Sequence, residues 1–346
     1  MHRAVSLPVD RSEHGPQLGS EQLGRAEQRA VDRAVGRSVG RSVAQRELSA
    51  VAPPRKHDDD GTADRLFAYR SEGDLGGVGM PVEGMALGRL GSDGKVRTEG
   101  RVVPVGELVP APPVPRPGKI VCVGLNYAEH AAEGGRAASD RPLIFAKFAN
   151  AVVADGEPVV RPAGTTALDL EAELGVVIGR AGRHIAAADA YRHVLGYVVV
   201  NDITARNWQG SPPALGPGEH GDGQWLRAKG SDTFLPMGPV LAFKTAIPDP
   251  HRLRIRSWRI PGAGPAAGTP VLMQDANTAD MIHRIPELIE FISATISLEP
   301  GDVISTGTPA GVGVFRTPPV FLEPGDRVRV EIEGIGSVEN PIVADD

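Results

Sequence analysis

The chain has 346 residues, 41% of them hydrophobic and 4% aromatic, with 43 glycines, 31 prolines and one cysteine. That length suits one large domain with additions, and the core must be built from aliphatic side chains. A net charge of −6 gives no general attraction to nucleic acid, the lone Cys122 excludes an intramolecular disulfide, and no apolar run reaches the length of a membrane span. The expectation left standing is a cytoplasmic protein with a small-molecule partner, no nucleic acid and no membrane.

Residues 1–60 differ from the rest. Val31, Val35, Val39 and Val43 recur at a helix-like spacing, but Gly36 and Gly40 weaken any helix there, and basic and acidic residues are mixed. The stretch reads as a disordered or partly helical tail. Residues 61–117 carry short apolar runs broken by glycine and end in the proline-rich "APPVPRPG", which predicts a small N-terminal β region followed by a stiff connector. From Gly118 to the end, residues 118–346, strand signals come steadily: "KIVCVG", "ELGVVIG", "VLGYVVV", "GPVLAF", "DVIST" and "RVRVEIEGIG". Helices are expected at Asn126–Glu133, about Ala187–Val194, and Ile285–Thr295. Strands dominate without regular alternation with long helices, which predicts a mixed α+β, β-rich sandwich or roll and argues against a doubly wound sheet.

The densest acidic feature is "LDLEAELGVVIG", Leu168 to Gly179. Read as one continuous strand, it places Leu168, Leu170, Ala172, Leu174, Val176 and Ile178 on one face. Asp169, Glu171 and Glu173 share the other. Three like charges on adjacent same-face positions are not stable without water or a cation. The spacing leaves two readings open, a solvated edge-strand face or a cation site. A second apolar strand, Leu195 to Val200, ends in Asn201-Asp202, where the aspartate is either a turn residue or a site residue. Two glutamates and a strand-end aspartate make an all-oxygen set of the kind hard divalent cations prefer, and no histidine pair has zinc-ligand spacing.

Five segments in order then carry a resemblance. They are "GLNYAEHAAE", "EAEL", "VVVND", "KGSDTFLPMGP" and "GDVISTGTPAGVG". From Gly118 to about Pro341 the chain strongly resembles the fumarylacetoacetate hydrolase superfamily, in particular its acylpyruvase-like and 2-hydroxyhepta-2,4-diene-1,7-dioate isomerase-like members. The resemblance implies that family's C-terminal β-sandwich roll with few short helices. It implies Glu171, Glu173 and Asp202 as ligands of Mg²⁺ or Mn²⁺, with Ca²⁺ as an alternative, and makes Asp169 a neighbour. It implies His130 and Glu133 as the pair that activates water or moves a proton, with Glu133 preferred over Glu129 by the H-x-x-E spacing. Lys229 becomes the stabiliser of an oxyanion or enolate. Gln224, Thr308, Lys147 and Arg206 become substrate-binding candidates. Asn207 stands where many relatives carry aspartate. The segment from Pro261 to Pro270 is longer than the Asn-Gly turn usual in relatives.

The activity implied first is hydrolysis of a C–C bond in an acylpyruvate- or fumarylacetoacetate-like 2-oxo or 1,3-dicarbonyl acid. The same site chemistry also serves isomerisation of a 5-carboxymethyl-2-hydroxymuconate-type diacid, hydration, or decarboxylation of oxaloacetate. Two readings of other kinds stand beside it, a Schiff-base aldolase using Lys229 and a non-catalytic binding module on the same fold. The resemblance also implies a homodimer.

Overall fold

The computed structural model describes residues 65–70, 85–90, 92, 94–98, 101–137, 139–210 and 223–345. The tail expected over 1–60 lies outside the described residues. Along the chain the strands are β1 (Arg65–Arg70), β2 (Met85–Leu90), β3 (Lys95–Thr98), β4 (Arg101–Pro104), β5 (Ile120–Gly124), β6 (Leu143–Lys147), β7 (Val152–Val153), β8 (Val159–Arg161), β9 (Leu168–Asp169) and β10 (Ala172–Ile178). They continue as β11 (Val194–Asn201), β12 (Thr204–Ala205), β13 (Leu235–Pro236), β14 (Val240–Phe243), β15 (Arg254–Ile260), β16 (Val271–Asn277), β17 (Val303–Ser305), β18 (Arg327–Ile332) and β19 (Gly336–Ala344). Four short α-helices are described, α1 (Ala128–Glu133), α2 (Arg206–Gln209), α3 (Trp225–Gly230) and α4 (Ile285–Ser293). None is long and apolar enough to cross a membrane.

Ten strands form one sheet in the order β4-β3-β2-β1-β14-β11-β10-β17-β5-β6, and five form a second in the order β16-β15-β18-β19-β8. Both are mixed, since β17–β5 and β19–β8 are parallel pairs and their neighbours are antiparallel. The strands of the N-terminal β region are therefore an extension of the large sheet, joined to it by the β1–β14 ladder.

The large sheet is covered on both sides. One side buries Leu174, Val176, Tyr197 and Val199 against α4 (Leu288, Ile289, Ile292) and against Ile255, Val330, Ile332 and Val338 of the second sheet. The other side buries Val177, Val198, Val200 and Leu241 under Ala228, Phe234 and Leu235. Strands buried on both faces read as continuous apolar runs, which is why "ELGVVIG" and "YVVV" lack polar alternation. All seven residues of β10 are buried.

The expectation of one strand from Leu168 to Gly179 is corrected. Leu168–Asp169 pairs with Thr204–Ala205 in a separate two-stranded ribbon, and β10 begins only at Ala172. The ladder breaks because Asp169 is drawn away, its carboxylate accepting hydrogen bonds from the backbone N–H groups of Gly313 (2.7 Å) and Val314 (3.0 Å). The helix expected at Asn126 begins at Ala128. The Asn126 side chain instead donates to the carbonyls of Thr306 (2.7 Å) and His283 (3.0 Å). The segment at Ala187 is a 3₁₀ turn ending at Arg192, while α4 begins at Ile285 as expected and ends at Ser293, two residues short of the expected Thr295.

Candidate active site

The β10–β11 hairpin brings the three acids together. Ala172 lies opposite Asn201 and Glu173 opposite Val200, so Glu171 and Asp202 flank the same end of the ladder. Glu171, Glu173 and Asp202 are buried, and one carboxylate oxygen from each lies within 4.8 Å of the others. Grouped buried charges need counter-charges or neutralisation. Lys229 of α3 donates to Glu171 Oε2 (2.6 Å) and Asp202 Oδ2 (2.9 Å). Lys147 Nζ lies 2.7 Å from Asp202 Oδ1. Arg206, at the start of α2, sits 2.7 Å from Glu171 Oε1 and bonds Asp169 through Nε at 2.9 Å.

Among the described residues no cation is hydrogen-bonded to Glu173. Its Oε2 accepts from the Ser305 hydroxyl (2.5 Å) and the Gly307 N–H (2.9 Å), both neutral donors. Burial, together with the charges of Asp202 and Glu171, pushes the Glu173 carboxyl well above the usual range. Burial also opposes the charge of Glu171, but Lys229, Arg206 and His130 hold it down to about 2. For Lys229, burial is outweighed by Asp202 and Glu171, so its ammonium is held above the ordinary lysine range. An all-oxygen donor set with a surplus of negative charge is what a hard divalent cation satisfies, so the residues present fit Mg²⁺ or Mn²⁺.

Glu171 and Glu173 open onto a cavity of about 400 Å³. Glu171, Glu173, Lys229, Arg206 and Thr308 line its polar side, and Val123, Leu125, Phe145, Trp225 and Phe315 its apolar side. His130 and Glu133 face the same space from α1. His130 Nδ1 is 2.9 Å from Glu133 Oε1, and Glu133 also accepts from the Gly311 N–H at 3.1 Å. A carboxylate on Nδ1 assigns the ring proton to that atom and leaves Nε2 as the basic one. Phe315 packs against the imidazole at 5.9 Å between ring centroids.

The substrate-binding candidates divide. Arg206 lines the cavity, but its guanidinium is already engaged by Asp169, Glu171 and Gln209. Thr308 also lines it, with its hydroxyl donating to Ala172 O (3.0 Å) and accepting from Gln274 Nε2 (2.7 Å). Lys147 lies behind the acids, its ammonium donating to the carbonyls of Ile203, Phe234 and Lys229. Gln224 caps α3 and its backbone N–H donates to Trp208 O (3.0 Å), beside residues 211–222, which are outside the described set. Asn207 faces away from the cavity and accepts from the Thr165 hydroxyl at 2.6 Å. The long segment after Ile260 is the turn of the β15–β16 hairpin.

Residues to which the sequence assigned no site role also set this geometry. Asp169 latches the Gly313–Val314 backbone, and Asn201 accepts from the Glu171 N–H (3.0 Å). Gln274, on the second sheet, bonds Thr308, the Pro309 carbonyl and the Ala172 N–H. Asp169 stood out only as a neighbour of the other acids, and Asn201 and Gln274 each stand beside an aspartate with no pattern of their own.

Fold and site together define a class, β-rich enzymes with a buried carboxylate trio beside a His–Glu pair. The family profile of the fumarylacetoacetate (FAA) hydrolase C-terminal domain matches residues 119–343, and the chain belongs to that family. It is similar to "Oxaloacetate tautomerase FAHD2B, mitochondrial" of Bos taurus, 44% identical over 246 residues that cover 71% of this chain and 73% of that one. Oxaloacetate tautomerase YisK of Bacillus subtilis (strain 168) is 43% identical over 234 residues, 66% of this chain and 71% of that one. Among solved structures, 5-carboxymethyl-2-hydroxymuconate delta-isomerase from Mycobacterium smegmatis matches with a TM-score of 0.64 at 34% identity, over 82% of this chain and 99% of that one.

Proposed function

We propose that this enzyme isomerises a small 2-oxo dicarboxylic acid by moving a proton between C3 and the C2 oxygen, as an oxaloacetate-type tautomerase does. C–C hydrolysis, which the sequence resemblance put first, gives way to isomerisation, which the names of two similar curated proteins, both tautomerases, and of one similar solved structure, an isomerase, support better. The observation that carries the reading is the His130–Glu133 pair on the wall of the cavity that Glu171 and Glu173 also line.

His130 Nε2 takes the proton from C3, and the same atom returns it at the C2 oxygen. Glu133 holds the ring and offsets the imidazolium charge during transfer. Lys229 stabilises negative charge developing on the C2 oxygen. Its raised proton affinity keeps it an ammonium, which is unsuited to Schiff-base attack. When bound, Mg²⁺ or Mn²⁺ held by Glu171, Glu173 and Asp202 supplies Lewis acidity toward the adjacent oxygens of a 2-oxo carboxylate. The apolar side formed by Val123, Phe145 and Phe315 limits water at C3. A homodimer belongs to the proposal on the strength of the family resemblance.

The test follows loss of the oxaloacetate enol by ultraviolet absorbance, beside acylpyruvate cleavage and oxaloacetate decarboxylation. Tautomerisation is expected to have the highest kcat/KM and to stop with EDTA. Glu171→Ala is expected to abolish metal binding and turnover together, and His130→Gln to lower kcat by roughly 10²- to 10⁴-fold. Acylpyruvate cleavage outrunning tautomerisation would restore the hydrolase reading, and normal turnover by Glu171→Ala would remove the metal from it.

A further inference from the structure

The helix that carries His130 and Glu133 ends in a way that also fixes the residue after it. Gly135 takes φ 66°, its N–H donates to Ala132 O (2.9 Å), and the Arg136 N–H donates to Ala131 O (2.9 Å). These two bonds with a left-handed glycine form the double-bonded C-terminal cap that ties the following residue back onto its helix. Arg136 is thus held at a set position relative to His130, and it lines the same cavity.

The described cations at the buried end of the site are all engaged. Lys229 is held by Glu171 and Asp202, Lys147 by Asp202 and three carbonyls, and Arg206 by Asp169 and Glu171. Arg136 is exposed, and among the described residues its guanidinium meets no carboxylate or carbonyl. Five unengaged N–H donors in a planar fork at a cavity wall suit a carboxylate. Charge balance points the same way. Asp169, Glu171, Glu173 and Asp202 face Lys147, Lys229 and Arg206, four acids against three bases. One divalent cation would leave that end a single positive charge, enough for one carboxylate of the substrate. A second carboxylate requires a second cation, and the apolar wall of Val123, Leu125, Phe145 and Phe315 offers none.

We infer that Arg136 is the specificity-determining residue that binds the distal carboxylate of a dicarboxylic 2-oxo acid. This deepens the proposed isomerase and rests on it for the reaction. The partner is recognised as a diacid by its two anionic ends, one at the acid trio and one at Arg136.

The experiment compares wild type, Arg136→Gln and Arg136→Lys on the enols of oxaloacetate and of phenylpyruvate, a 2-oxo monoacid. Calorimetric titrations with malate and lactate in Mg²⁺ are run on the same proteins. In Arg136→Gln the diacid-to-monoacid ratio of kcat/KM is expected to fall about 10- to 100-fold, the scale of a lost charged hydrogen bond, and to do so through KM. Arg136→Lys is expected to restore part of the ratio. A ratio within twofold of wild type in Arg136→Gln overturns the inference. If wild type tautomerises neither acid, the proposed reaction fails, and the malate titration decides Arg136 separately. Malate weakened about tenfold relative to lactate in Arg136→Gln supports it. Equal malate binding by both proteins, or no malate binding to wild type, refutes it.

Discussion

At the residue scale, the main fact is that one of the four acids buried at the site does a different job from its neighbours. Asp169 shares the spacing of Glu171 and Glu173, yet its carboxylate accepts from the N–H groups of Gly313, Val314 and Leu170 and from Arg206 Nε. It holds the loop that carries Phe315, while the other three acids converge within 4.8 Å. An amide in its place would turn a donor toward donors and strip the charge facing Arg206. Asp169→Asn is expected to lower stability by about 2–4 kcal/mol in chemical denaturation, while calorimetry still shows metal bound. Loss of metal binding in that variant would make Asp169 a ligand after all. The acids and the His–Glu pair were legible in the sequence because their residue types and spacing survive without a structure. The resemblance set Asp169 apart from Glu171, but what Asp169 holds instead was not legible, because it depends on which N–H groups arrive from 144 residues away.

At the element scale, the β17 end and the loop after it close the site from one side. Ser305 and Gly307 both bond Glu173, and Thr308 bonds the Ala172 carbonyl. Gly307 adopts φ 97°, and a Cβ there would lie 2.7 Å from Asn126 Cβ and 3.0 Å from Val123 O. Gly307→Ala therefore meets both a disfavoured backbone region and a collision, with an expected cost of about 2–4 kcal/mol and a fall in kcat from a displaced Glu173. Thermal unfolding and steady-state kinetics read both effects, and an unchanged melting temperature would show that the loop yields freely. The glycine-rich character of "GTPAGVG" was plain in the sequence. The reason for this particular glycine lies in Asn126, whose amide joins this loop to His283.

At the scale of the whole molecule, the two sheets and α4 bury the hairpin that carries the acids, so the cost of grouping charge is met by the fold. A ligand that binds only the folded state adds to its stability by mass action. Mg²⁺ or Mn²⁺ at about a hundred times its Kd is expected to add about 2.7 kcal/mol, a rise in Tm of roughly 5 °C. Scanning calorimetry with Glu171→Ala as the control checks this, since the variant should show no rise. An equal rise in both proteins would place the bound ion elsewhere.

The sequence by itself determined the β-rich class, the family, and the identity of the residues that cluster at the site. It did so because hydrophobic runs and ordered motifs are local properties of the chain. It predicted a single strand from Leu168 to Gly179, and only the tertiary structure broke that strand at Leu170–Glu171. Tertiary structure also placed Lys147 behind the acids, engaged the Thr308 hydroxyl, and left Arg136 at the cavity wall without an ion-pair partner among the described residues. Those outcomes are set by pairing and burial between distant segments, where one carboxylate satisfied by a loop N–H is no longer available to a cation or a substrate.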